Sequence, residues 1–107
     1  MTERPLAALL GKGAKYSGEL SFEGRVRVDG VYEGRIHTDD VLEVGEGGKV
    51  VGEVDVANLI VAGTVDGKIR VRERLILRPT GHLLGQVDVV TLEVEAGGRI
   101  DAVVRVA

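Results

Sequence analysis

One eight-residue phrase returns along the chain at nearly constant spacing. It reads KVVGEVDV at 49–56, TVDGKIRV at 64–71 and HLLGQVDV at 82–89. A variant, RIDAVVRV, runs from 99 to 106, and two looser copies, KYSGELSF and VYEGRIHT, occupy 15–22 and 31–38. Aligned on the first apolar or aromatic residue, the copies begin at Tyr16, Tyr32, Val50, Val65, Leu83 and Ile100, in steps of 16, 18, 15, 18 and 17 residues. Two places on stand Gly18, Gly34, Gly52, Gly67, Gly85 and Ala102. The rows Leu20, Ile36, Val54, Ile69, Val87, Val104 and Phe22, Thr38, Val56, Val71, Val89, Val106 follow. The phrase holds no nucleophile and no fixed metal ligand.

A second alternating segment lies between the copies: Val26 and Val28, Leu42 and Val44, Leu59 and Val61, Leu75 and Leu77, Leu92 and Val94. Glycine-rich turns at Asp29–Gly30, 45–48, Gly63, 79–81 and 97–98 punctuate the segments. Period-two alternation between such turns predicts short strands. A hairpin sandwich or meander alternates in the same way. It has no need, however, to restore the same residue types every 17 or so positions, whereas a β-solenoid does, because each coil lies on the last. A coil of about 17 residues forms three short sides and three corners. The expected fold is all-β, a compact parallel β-helix of about six coils.

The composition agrees with stacked thin layers. Val, Leu and Ile dominate the apolar residues, aromatic residues make up 3% and tryptophan is absent. The outward positions Glu19, Arg35, Glu53, Lys68, Gln86 and Ser21, His37, Asp55, Arg70, Asp88, Arg105 form ladders of nearly alternating sign. A slip of one coil would set like charges together, so these ladders favour one register. A chain of 107 residues is about one domain. Its net charge of -3 supplies no broad basic field, so nucleic acid is not an expected partner. There is no cysteine for a disulfide or thiolate site. The leader MTERPLAALLGKG is too short and weakly cationic for a good secretory signal, so a cytoplasmic location is expected.

Catalytic chemistry finds little support. His37 and His82 stand at different phases of the repeat and read as surface side chains. Two histidines cannot build a three-histidine zinc site within one chain. GEGGKV at 45–50 lacks the spacing and hydroxyl of a phosphate-binding loop. No metal, cofactor or catalytic residue is expected. The enzyme alternative, a left-handed β-helix acyltransferase, requires a hexapeptide signature that the variable steps do not keep. A third alternative is a discrete oligomeric binding scaffold, with Ile60 and Ile76 as a small partner patch between Glu43 and Glu93.

The stretch LGKGAKYSGELSFEGRVRVDGVYEGRI, residues 10–36, resembles the opening of the bactofilin family. The matching elements are Gly18–Leu20–Phe22–Gly24, Val26–Val28–Asp29–Gly30 and Gly34–Ile36. VVGEVDVANLIVAGTVDGKI, residues 50–69, resembles that family's repeating body. The resemblance implies a right-handed, three-sided β-helix that polymerises without nucleotide. It also implies a scaffold for cell-shape, polarity or cell-wall machinery, attached to the inner face of the membrane by a short N-terminal segment.

The residues fit such a role. RIDAVVRVA continues the coil pattern to the end of the sequence with neither a helix nor a charged cap, and exposed solenoid ends invite stacking. The expected polymer contacts are Tyr16, Leu20 and Phe22 at one end and Ile100, Val104 and Val106 at the other. The expected division is a flexible leader, 1–13, before a β-helix polymerisation domain, 14–107. Within the leader, Leu6, Leu9 and Leu10 share one face of a short helical turn flanked by Arg4 and Lys12, and are the expected membrane contact. A flap over the first coil is the alternative use of that segment.

Overall fold

The computed structural model describes residues 6–106. All eight strands in that range pair in parallel: β1 Leu6–Leu10, β2 Lys15–Phe22, β3 Arg25–Val28, β4 Val31–Val44, β5 Lys49–Val61, β6 Thr64–Leu77, β7 His82–Val94 and β8 Arg99–Val106. The pairing order is β1–β3–β4–β5–β6–β7–β8, with β2 also on β4. This is a β-solenoid of about six turns. The first coil is β2 with β3, the next four are β4 to β7, and β8 opens the sixth.

The register joins the rows read from the sequence. Tyr16, Tyr32, Val50, Val65, Leu83 and Ile100 stack in one continuous row, as do Gly18, Gly34, Gly52, Gly67, Gly85 and Ala102. Inward rows therefore place branched aliphatic side chains over one another, and the central coils bury them almost completely. Each fully buried Val, Leu or Ile contributes about 1.5–3 kcal/mol of transfer free energy.

The unequal steps have a simple origin. The strand segments keep their length from coil to coil, and only two connections vary. The corner inside each coil holds two residues (Asp39–Asp40 or Arg72–Glu73) or one (Ala57 or Val90). The turn between coils is either a two-residue or a four-residue link. Three of the long turns close with Gly48 N to Gly45 O, Gly81 N to Arg78 O and Gly98 N to Glu95 O, at 2.8, 2.9 and 3.0 Å.

Thr38 and Tyr32 carry hydroxyl groups into the core, and both find partners. Thr38 replaces valine in an inward row, donates to the Gly24 carbonyl at 2.6 Å and accepts from the Asp40 amide at 3.2 Å. Tyr32 is fully buried, and its hydroxyl lies 2.5 Å from the Gly18 carbonyl and 2.7 Å from that of Arg35. Burial raises the Tyr32 pKa, with the Glu19 carboxylate adding to the effect.

The first strand departs from expectation. Leu6–Leu10 forms β1 on the outer edge of β3 in place of a helical turn. In register Ala8 pairs with Val26 and Leu10 with Val28, so the segment continues the ladder of the intermediate strands. The following turn carries the same closure as the later long turns, from the Ala14 amide to the Gly11 carbonyl at 3.4 Å. Leucine and alanine have modest strand preference, but the open edge of β3 and the apolar layer beneath it decide the conformation.

Candidate assembly surfaces

Both ends of the solenoid are stepped. At the N-terminal end β1 covers β3, while the outer edge of β2 has no strand partner among the described residues. Tyr16, Leu20 and Phe22 line that uncovered layer, partly buried against the core. At the C-terminal end β8 covers only His82–Val89 of β7. Thr91–Val94 of β7 pairs on its inner side with Arg74–Leu77 of β6, but its outer edge, like the whole outer edge of β8, has no strand partner among the described residues. Ile100 and Val104 pack half-buried on the layer below, and Val106 is 59% exposed. Unpaired edges of this kind present backbone donors and acceptors to another chain.

The structure adds residues that the sequence reading did not select. Val94 and Val103 are 50% and 67% exposed, and both lie on the C-terminal end. A signal for Val103 existed, because the outward ladder Glu19, Arg35, Glu53, Lys68, Gln86 reaches a valine one place further on. Val94 needed the step, since its strand is left open only because β8 spans half a coil.

The six phrase positions at the two ends are therefore brought to two separate surfaces. The three leader positions divide differently. Leu10 is 7% exposed and belongs to the core, and its carbonyl accepts from the Asp29 and Gly30 amides at 2.7 and 3.1 Å. Leu9 points outward and is 55% exposed. The side chain of Leu6 lies outside the described residues. Ile60 and Ile76 stack on each other between Glu43 and Glu93, and both are partly buried.

Ion pairs tie the coils together on the outside. Arg35 meets Glu53 at 2.8 Å and Glu19 at 3.4 Å, so it bridges three successive coils. Arg27 meets Asp29 at 2.9 Å and Glu43 at 3.1 Å, and these contacts raise its already high pKa, the hydrogen bond to Asp29 foremost. Exposed pairs contribute about 0–1 kcal/mol each. Arg72 reaches further than any ladder contact, passing over the one-residue corner at Ala57. It meets Asp39 at 2.8 Å and the Thr38 carbonyl at 2.7 Å, two coils away. The hydrogen bond to Arg72 holds the Asp39 carboxyl below its usual range.

The histidines serve these surface networks. His37 lies 3.5 Å from both Asp39 and Asp55, and His82 meets Asp101 at 2.6 Å. Among the described residues no cluster of three or more metal-ligating side chains occurs. No helix among them is long and apolar enough to cross a membrane.

Comparison with known proteins bears on the stacked coils and their open ends. No curated protein and no solved structure matched the chain. A family model described as "Bactofilin: Polymer-forming cytoskeletal" matches residues 8–105, which include strands β2 to β7 entire and most of β8. The chain belongs to the bactofilin family of polymer-forming cytoskeletal proteins.

Proposed function

We propose that this chain is a structural subunit that assembles end to end into filaments without nucleotide. The observation carrying this reading is the pair of stepped, unpaired ends, each presenting an apolar layer continuous with the core. Stacking extends that core from one chain into the next, so the energy of a rung is regained at every seam. Purified protein forms filaments visible by negative stain without ATP, GTP or metal. A strict nucleotide requirement sinks the proposal, and a persistent monomer near physiological salt favours a discrete binding scaffold.

The coil is taken as right-handed and three-sided. Three bends per coil support the three sides: one at the positive-φ phrase glycine, one at the inner corner and one at the turn between coils. In the cell such a filament would lie in the cytoplasm and scaffold cell-shape, polarity or cell-wall proteins at the inner membrane face. The leader, residues 1–13, provides the membrane contact, ahead of the polymerising β-helix of 14–107. Exposed Leu9 supports this reading, while buried Leu10 requires that any deeper insertion peel β1 from β3. Polymer avidity strengthens weak attachments. Leu9→Glu leaves the fold intact, because the side chain points to solvent, and lowers co-sedimentation with anionic vesicles. Unchanged co-sedimentation would remove Leu9 from the membrane contact.

A further inference from the structure

The outward charges after each phrase glycine form bands across the solenoid. In coil order they are Glu19; Arg35 with His37; Glu53 with Asp55; Lys68 with Arg70; Asp88; and Arg105. Glu53 with Asp55 and Lys68 with Arg70 put two like charges in one coil, the other coils carry one formal charge each, and between coils the sign reverses. From the first coil to the sixth the bands read minus, plus, minus, plus, minus, plus. The four central bands line one shallow depression on a single face.

The fourth band differs from its neighbours. Glu53 is held by Arg35 at 2.8 Å, Asp55 lies 3.5 Å from His37 and from Arg72, and Asp88 lies 3.9 Å from Arg105. The side chains of Lys68 and Arg70 are exposed and make no hydrogen bond or ion pair among the described residues. Two cations at the centre of the face are thus left for an external anion, although carboxylates lie above and below them.

We infer that this banded face is a lateral contact between polymers of this chain, the partner being a second copy displaced by one coil. The inference rests on the end-to-end reading. A copy has the same coil rise, about 4.8 Å, so within each chain an offset of one coil lays positive bands on negative ones. The alternation reads the same in both directions along the axis, so parallel and antiparallel neighbours both match. A nucleic acid would meet three negative bands, and an extended peptide repeats at about 3.3 Å and falls out of step. Each opposed pair adds little, but the match recurs in every chain of the polymer and its effect accumulates. Isolated chains therefore stay apart while filaments pair.

Negative stain and low-speed sedimentation test this on the full chain. In about 50 mM salt wild-type filaments run in ribbons or bundles, and in about 400 mM they separate, because screening shortens the reach of surface charge. Lys68→Gln with Arg70→Gln removes the free band without breaking an internal ion pair. Its filaments form but remain single at low salt, and the low-speed pellet falls by about tenfold. Lys68→Arg with Arg70→Lys keeps the band and keeps the ribbons. Single wild-type filaments at low salt, or a Gln variant that bundles as well as wild type, overturns the lateral face and leaves end-to-end assembly standing. Absence of filaments in every condition overturns the end-to-end reading, and the lateral contact falls with it.

Discussion

Val104→Arg yields a folded protein that no longer forms long filaments. Val104 stacks on Val87, which is fully buried, and closes the last coil of its inward row. In a single chain the new guanidinium extends from the open end into water, so the coils below keep their packing. In a stacked pair it would be sealed into the apolar layer at the seam. Leaving a charge buried and unpaired costs about 3–5 kcal/mol. That corresponds to a weakening of the seam by at least about a hundredfold. If like ends pair, dimers survive through the unaltered end at Tyr16, Leu20 and Phe22; head-to-tail stacking leaves monomers. Analytical ultracentrifugation distinguishes these products, and circular dichroism establishes that the β structure is retained. Filaments as long and stable as those of the wild type would exclude this end as an essential contact.

The architecture was legible because each coil repeats the same inward residues at one phase. Four aligned rows predicted a parallel stack, and the register confirms each of them from Tyr16 to Ile100. The family resemblance was legible in the same residues. What escaped depended on geometry between coils. PLAALL does not alternate, and its leucines suit a helical face, so only the open edge of β3 makes β1 a strand. The equivalence of the turn at 11–14 to the one at 45–48 carried a weak signal for it. Arg72 and Asp39 are 33 residues apart, and nothing in either segment announces their contact. It exists because the intervening corner is one residue long and occupied by buried Ala57. The end surfaces were half legible: the inward residues followed from phase, whereas the exposure of Val94 followed from where β8 stops covering β7.

The phrase glycine sets the largest expected loss of stability. Gly67 has φ +125°, a region that side chains of L-residues rarely adopt, and its neighbours in the row, Gly52 and Gly85, have φ +129° and +92°. A Cβ on Gly67 would lie on the carbonyl oxygen of Gly52 in the coil below. That oxygen is backbone in a hydrogen-bonded ladder and has nowhere to move. Gly18 has a similar φ of +120° but no described atom within 4 Å of the corresponding position, because no coil lies beneath it among the described residues. The two glycines therefore separate backbone strain from close approach. Strain alone costs about 1–3 kcal/mol, which is the expected loss for Gly18→Ala. Gly67→Ala adds the steric conflict and loses at least about 4 kcal/mol, a large share of the 5–15 kcal/mol that typically holds a domain together. The corresponding fall in melting temperature is about 15–25 °C. Both variants are compared by circular dichroism in the Val104→Arg background, so that polymer contacts do not add to the measured stability. Ala102 shows how the row escapes this constraint: it stacks on Gly85 at the last full rung, and no non-glycine residue among those described has a positive φ. The final strand has thus given up the kink that the inner coils require. Equal losses for Gly18→Ala and Gly67→Ala would show that conformation alone, and not the approach of one coil to the next, keeps glycine in this row.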